Sequence, residues 1–351
     1  MSPVSPLTTF AVVISPRDAF GLRFDVPAAY LNTASIGVPP VQAADAVAAA
    51  VQGWRTGAGR PADFDAPVAT ARAAWARLVG VPVERVAVGA TVSGLVSLLA
   101  AALPPRSRVL VAAGEFTSVT WPFAARGHVL TEVPLDEVGA RAAEFDAVAV
   151  AVVQSADGAL VDLDALRAAR ATGTRVVLDA TQATGWLDAD LGWADAVTGG
   201  AYKWLLSPRG AAWLAVHPDW EVPAEQAGWF AGAQVWDSVY GLPLRLAADA
   251  RALDTSPAWL SHVGAAVALP LLADLDRAAV HAHCTGLADA LRAGLGLEPA
   301  GSAIVAVRTP GAQERLEAAG VACAARAGAA RLSFHLYSTR ADVDLALEAL
   351  A

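Results

Sequence analysis

The fold class that this sequence predicts is α/β: a large domain with a mostly parallel sheet covered by helices, followed by a smaller C-terminal α+β domain. Three observations predict it. Short Val-rich runs alternate with Ala/Leu/Arg-rich helical stretches, a strand, tight turn and helix follow one another at 86–101, and the chain changes character beyond Trp229. At 351 residues and 55% hydrophobic, the chain has apolar surface for real cores, which excludes a disordered protein.

The elements follow from the pattern in order. Pro39-Pro40 starts a helix at about Val41, and the Gly/Arg-rich stretch from Gly53 to Pro61 reads as a break in it. Pro67 to Val79 places Trp75, Leu78 and Val79 on one helical stripe, Val86 to Val88 is strand-like, and Gly89-Ala90-Thr91 turns into an apolar helix from Val92 to Ala101. Val109 to Val111, Ala147 to Val153 and Val176 to Leu178 read as further buried strands, with Leu163 to Ala171 as the helix before the last. A long helical stretch from about Ala258 to Leu295 should kink at Pro270. After it come strands at Ala303–Val307, Val321–Ala325 and Ala330–His335, and helices at Gly311–Ala319 and Ala341–Leu350. A boundary near residue 245 gives a large domain over 22–245 and a small domain made of 1–21 and 246–351.

Charge and composition exclude several function classes. The net charge is −9 and 17% of residues are charged, so no broad cationic surface meets a phosphate backbone, and no nucleic-acid partner is expected. Cys284 and Cys323 make neither a disulfide framework nor a zinc ribbon. His281, His283 and Cys284 share a helix on which i and i+2 point apart, so no metal site is expected. No apolar run approaches the roughly 20 residues of a membrane span. The run from Phe10 to Ile14 has neither a preceding Lys or Arg nor a small-residue cleavage site, and a cytoplasmic protein is expected. Neither a dinucleotide-binding glycine turn nor a P-loop is present, which removes NAD and ATP readings.

Two stretches carry chemistry. RVVLDATQ at 175–182 delivers Asp179 at the C-terminal edge of a strand, where open α/β sheets bind ligands. VTGGAYKW at 197–204, followed by Ser207-Pro-Arg-Gly210, sets Lys203 between two aromatics among small residues. A pyridine ring acting as an electron sink needs a carboxylate at its nitrogen and an amine that forms a Schiff base and moves protons. Asp179 and Lys203 supply those groups, and a dry lysine near another cation has a lowered pKa. Ala90 and Thr91 open a helix whose N-terminal N–H groups, with a hydroxyl, favour a phosphate dianion; Thr91 acting only as an N-cap is the plainer alternative.

The order of motifs is specific: Gly-Ala-Thr at 89–91, Glu-Phe at 115–116, Asp-x-x-Gln at 179–182, Tyr-Lys at 202–203, Gly-Trp-Phe at 228–230 and Arg-Leu-Ser-Phe-His-Leu-Tyr-Ser-Thr at 331–339. From Tyr30 to the C-terminus the chain resembles the class V group of fold-type I pyridoxal 5′-phosphate enzymes. That group holds class V aminotransferases, cysteine desulfurases, kynureninases and isopenicillin N epimerase-like proteins. The resemblance implies that Lys203 is the Schiff-base lysine and proton shuttle, that Asp179 partners the ring nitrogen, and that Gln182 neighbours the phenolic oxygen. Ser155 falls where many relatives place an Asn contact to that oxygen. Phe116 matches the position of a ring stacked on the cofactor, Thr181 packs on its other face, and Tyr202 adds a donor to the phosphate held by Ala90 and Thr91.

The resemblance further implies a homodimer with shared active sites, in which Trp229 and Ser256 act on the phosphate across the interface. Arg331 matches the arginine that grips the substrate carboxylate, and Asn32 lies where the N-terminal loop lines the substrate pocket. Cys323 lies in an apolar run eight residues before Arg331, unlike the mobile nucleophile of desulfurases, and reads as a buried structural thiol. The expected activity is transamination of an α-amino acid. Elimination or C–S or Cβ cleavage, kynureninase-like hydrolysis and epimerisation remain alternatives, and a non-catalytic binder that keeps the fold is the alternative from another class.

Overall fold

The computed structural model describes residues 14–351. An antiparallel hairpin opens it, β1 (Ile14–Ala19) against β2 (Leu22–Pro27). The rest of the predicted N-terminal apolar run, Phe10 to Val13, lies outside the described residues. Helices α1 (Val41–Thr56) and α2 (Asp65–Val79) follow. The sheet-forming region then runs β3 (Val86–Gly89), α3 (Val92–Ala102), β4 (Arg108–Ala112), α4 (Thr117–Ala125), β5 (Val129–Val133), α5 (Leu135–Arg141), β6 (Ala147–Ala151), α6 (Leu163–Ala171), β7 (Arg175–Asp179), β8 (Ala196–Gly200) and β9 (Ala212–Val216). Seven strands pair in the order β3-β9-β8-β7-β6-β4-β5, with β9 antiparallel to both neighbours and the remaining pairs parallel.

Both faces of this sheet are covered, which is why its strands read as unbroken apolar runs. Val86, Val88, Leu110, Val148, Val150, Val176, Leu178 and Trp213 join the core with Trp75 and Leu78 of α2. On the other face Ala87, Val109, Ala147, Ala149, Ala196 and Ala212 meet Leu95, Leu98 and Leu99 of α3 and Phe123 of α4. Alanines dominate that second face, so α3 lies close to the sheet. At Gly89 a Cβ would press on Leu95.

The C-terminal region contains α7 (Trp259–Ala273), α8 (Arg277–Gly294), β10 (Ile304–Val307), α9 (Ala312–Ala318), β11 (Ala324–Arg326), β12 (Ala329–Ser333) and α10 (Arg340–Leu350). Its three strands form an antiparallel sheet in the order β10-β12-β11, with a core of its own around Leu291, Val305, Leu316, Leu332 and Val343. Arg17 of β1 binds Asp342 of α10 through two hydrogen bonds of 2.6 and 2.8 Å. Among the described residues no helix is long and apolar enough to cross a membrane.

Several boundaries differ from the sequence reading, three of them for a physical reason. Helix α1 runs through Gly53 and stops at Gly57, whose left-handed φ of 70° ends the helix without side-chain strain. The stretch from Ala258 to Leu295 is two helices, and the break comes at Asp274–Asp276 rather than at Pro270. Pro270 sits in the last turn of α7, which continues past it to Ala273, while Asp276 caps α8 by accepting from Ala279 N at 3.1 Å. The strand expected at Val321–Ala325 is shorter and later, because Val321 turns into the core and only 324–326 pair with β12.

A buried ion pair ties the chain after residue 253 to β3. Asp254, fully buried, takes two hydrogen bonds from Arg72 of α2 at 2.6 and 3.0 Å and a third from Val88 N at 2.8 Å. Removing one partner strands the other charge in the core. Asp254→Ala should therefore lower the unfolding free energy by about 3–5 kcal/mol in urea titration. A loss below about 1 kcal/mol, the value of an exposed pair, would show that this pair is solvated.

Candidate active site

The C-terminal ends of the parallel strands converge on one cavity of about 150 Å³. Ala151 from β6, Asp179 from β7, Gly200 from β8 and Ala212 at the start of β9 line it, and the turn from Ala90 to Ser93 opens α3 at its edge. Of the residues singled out in the sequence, Ala90, Thr91, Phe116, Ser155, Asp179, Thr181, Gln182, Tyr202 and Lys203 all line this cavity. Arg331 stands behind it through Ser155. Trp229 packs on Phe230 and Trp236 in a short 3₁₀ turn, and Ser256 is exposed; neither lines the cavity within this chain.

Lys203 is 6% exposed, with Nζ 5.3 Å from the Phe116 ring centre and 5.5 Å from that of Tyr202. Burial pulls its pKa down to about 8; Asp179 opposes the shift, and Arg331, Arg326 and Arg209 reinforce it. Asp179, also 6% exposed, accepts from Thr181 N at 2.9 Å. Burial raises its pKa, against the hydrogen bonds from Thr181 and the attraction of Lys203.

Backbone contacts fix where Lys203 starts. Gly37 N donates to the Tyr202 carbonyl at 2.9 Å, and a Cβ on Gly37 would collide with the Lys203 carbonyl. Gly185, at φ 110°, makes the same allowance for the Trp204 carbonyl. That carbonyl accepts from His335 Nε2 at 2.9 Å, since His335 Nδ1 is itself accepting from Leu336 N and burial keeps the ring neutral, with a pKa pulled down to about 4.

Gln182 lines the cavity with its amide engaged on all sides. Its amide donates to the Ala34 carbonyl at 3.1 Å and to Ser155 Oγ at 3.0 Å, and its oxygen accepts from Trp204 Nε1 at 2.7 Å. Both amide protons are spent on the protein, so Gln182 braces the pocket wall. Ser155 Oγ accepts from Gln182 and from Arg331 Nη1 at 3.2 Å, which leaves its own proton as the free donor at that point.

Arg331, 1% exposed, also donates to the Ser155 carbonyl and to Ser35 Oγ at 2.7 Å. Its Nε–H is buried without a partner, so Nε–H and one Nη2–H remain of its five donors. Asn32, bridged to Ser333 beside it, has a buried Oδ1 that likewise lacks a partner.

Sequence reasoning assigned no role to Glu115 or Ser35. Glu115 accepts from Phe116 N at 2.7 Å, from Ala151 N at 2.8 Å and from Gln154 Nε2 at 2.9 Å, which ties the Phe116 ring to the end of β6. A stronger signal also went unread: of the 25 cationic residues, Lys203 is the sole lysine and the other 24 are arginine. An amine occurs in a side chain only where it enters this cavity. Cys323 is half-buried and its thiol is pushed up to about 11 by burial and by Glu317, so it holds no thiolate near neutral pH. Among the described residues no cluster of three or more His, Cys, Asp or Glu is arranged for a metal.

The model of the aminotransferase class-V family matches residues 60–310. The chain belongs to the class-V aminotransferase family. Its cofactor is pyridoxal 5′-phosphate, and the donor set fits that group: one amine, a buried carboxylate, a flat ring at Phe116 and a helix N-terminus at the cavity edge. Isopenicillin N epimerase of Streptomyces clavuligerus is 32% identical over 215 residues, 54% of this chain and 53% of the relative, so the match spans about half of that relative's length. The uncharacterized aminotransferase YcbU of Bacillus subtilis is 27% identical over 310 residues, 80% of this chain and 82% of its own. In fold the chain is similar to the cystine C-S lyase C-DES, with TM-score 0.81 at 18% identity over 92% of this chain and 96% of that one. The cysteine desulfurase CsdA of Escherichia coli gives 0.76 at 19% identity, over 92% and 94%.

The lowered pKa of Lys203 has a direct readout. In cofactor-free protein, the rate of trinitrophenylation at the Lys203 peptide should rise with a midpoint near pH 8, because above that pH the amine is neutral while an ordinary lysine is still an ammonium. A midpoint above pH 10, near the usual lysine value, would place the amine in water.

Proposed function

We propose that the protein is a pyridoxal-phosphate-dependent aminotransferase acting on an α-amino acid. The observation that carries this reading is the sole lysine of the chain, buried together with Asp179 in the lining of one cavity. When bound, the cofactor supplies a carbonyl that condenses with amines and a pyridine ring that takes up an electron pair.

The residues divide the remaining work. Asp179 would hold a proton at the ring nitrogen, its buried carboxylate facing that cation in a low-dielectric site. Lys203 Nζ, about half neutral at pH 8, would serve as the base for the substrate α-proton. The two free N–H groups of Arg331 take the substrate carboxylate side by side, and Asn32 faces the same loop. The Ser155 hydroxyl would donate to the phenolic oxygen of the ring, beside Gln182. Thr91, Ser93 and the first N–H groups of α3 would hold the phosphate with Tyr202, and Phe116 and Thr181 would pack on the ring.

Ala90, Thr91 and Phe116 are exposed in the single chain. The proposed assembly is a cytoplasmic homodimer whose second subunit closes this rim with Trp229 and Ser256. The similarity to isopenicillin N epimerase favours a second reading, epimerisation at the α-carbon by the same amine. A desulfurase reading lacks its thiolate at Cys323.

Mixing the yellow holoenzyme with single amino acids separates these readings. Transamination moves the visible band to a near-ultraviolet pyridoxamine form and releases one keto acid per site. Ammonia release with the visible band retained would instead indicate elimination, and loss of optical activity without keto acid would indicate epimerisation. Borohydride should fix the cofactor covalently to the wild-type chain and leave it removable from Lys203→Ala, and a colourless wild-type chain that cannot be reconstituted would indicate a binder. Arg331→Lys loses the planar fork and should raise KM for the amino acid by about 10- to 100-fold with a smaller change in kcat. A change confined to kcat would move Arg331 away from the carboxylate.

A further inference from the structure

We propose that Arg209 is a phosphate-binding residue of the cofactor site, a cation supplied from the same chain as Lys203. The inference rests on the cofactor placement given above. Arg209 belongs to the Ser-Pro-Arg-Gly stretch after the Lys203 turn, and no role has been found for it there. Its guanidinium lies 4.8 Å from the Tyr202 ring centre and it lines the same cavity as Thr91 and Ser93. Among the described residues its side chain has neither a hydrogen-bond acceptor nor an acidic partner, whereas Arg17, Arg72 and Arg175 are each spent on a carboxylate.

The backbone places this side chain deliberately. Ser261 Oγ of α7 donates to the Arg209 carbonyl at 2.8 Å, and at Gly210, with φ 114°, a Cβ would meet Ser261 Oγ at 2.7 Å. The chain therefore passes close to α7 at this point, and the exposed Arg209 side chain lies over Tyr202 at the cavity rim.

The charge balance of the cavity calls for such a group. A phosphate monoester carries a charge of about −1.5 to −2 near neutral pH, and a helix N-terminus answers only about half a charge. Thr91 Oγ1 already accepts from Gly94 N at 3.2 Å as the cap of α3. Lys203 is committed to the cofactor's carbonyl end and Arg331 to the substrate side. Arg209 is then the one cation left for the phosphate end, and over the Tyr202 ring its N–H groups remain free for the phosphate oxygens.

The test is binding to the full chain stripped of cofactor, followed by tryptophan fluorescence, with pyridoxal 5′-phosphate and with pyridoxal, which lacks the phosphate. Arg209→Gln should raise the Kd of pyridoxal 5′-phosphate by about 10- to 100-fold and leave that of pyridoxal unchanged, and Arg209→Lys should recover part of the loss. Equal weakening of both ligands, or an unchanged Kd for pyridoxal 5′-phosphate, would overturn the proposal. So would an unchanged cofactor Kd accompanied by a raised KM for glutamate, which would turn Arg209 toward a second carboxylate of the substrate. Since no turnover enters the binding assay, a wrong assignment of the reaction leaves its result intact. Failure of the wild-type chain to bind either ligand would remove the cofactor placement and this proposal together.

Discussion

An amine kept out of water beside a buried carboxylate is the constraint on which the rest of this structure depends. Lysine resists that position, because its ammonium is strongly hydrated and desolvation pushes it toward the neutral form. The fold imposes it through the backbone. The peptide after Tyr202 is squeezed between Gly37 from the N-terminal loop and Gly185 from the segment after β7, and His335 and Trp204 lock it from below. The two sheets therefore meet at this loop: strand ends of the seven-stranded sheet supply Asp179 and Gly200, and β12 of the small sheet supplies Arg331.

Arginine and lysine are divided by task in this chain. Everywhere a permanent cation is needed for pairing, as at Arg17, Arg72 or Arg175, the residue is arginine. The one lysine stands where a cation that can lose its proton is needed. The cavity also gathers more positive than negative side chains, with Arg209 lining it and Arg331 behind Ser155, against Asp179 alone at its floor. The phosphate of the cofactor is an anion that suits that excess of positive charge.

Much of this was readable from the residues, for reasons that differ by element. The Val-rich strands β3, β4, β6 and β7 announced themselves, whereas β8 and β9, written AVTGG and AWLAV, carry too little periodicity to be told from loop or helix. The antiparallel β9 is therefore invisible without the sheet. The break expected from Gly53 does not occur, since Gly53 is tolerated inside α1, and the single stretch expected to kink at Pro270 is instead divided at 274–276, because packing outweighs propensity. At the site, Asp179 and Lys203 were found by their local setting. The saturation of Gln182 was not, since it depends on Ala34, Ser155 and Trp204, which are distant in sequence and meet only in the fold. Glu115 escaped for the same reason: its partners at 151 and 154 belong to another strand end.

A crystal structure of the protein loaded with pyridoxal 5′-phosphate tests the central claim most directly. The account predicts continuous density from Lys203 Nζ to the cofactor's carbonyl carbon, with the ring nitrogen within hydrogen-bonding distance of the Asp179 carboxylate. A cofactor lodged elsewhere, or one joined to Lys203 with its nitrogen facing away from Asp179, would contradict it.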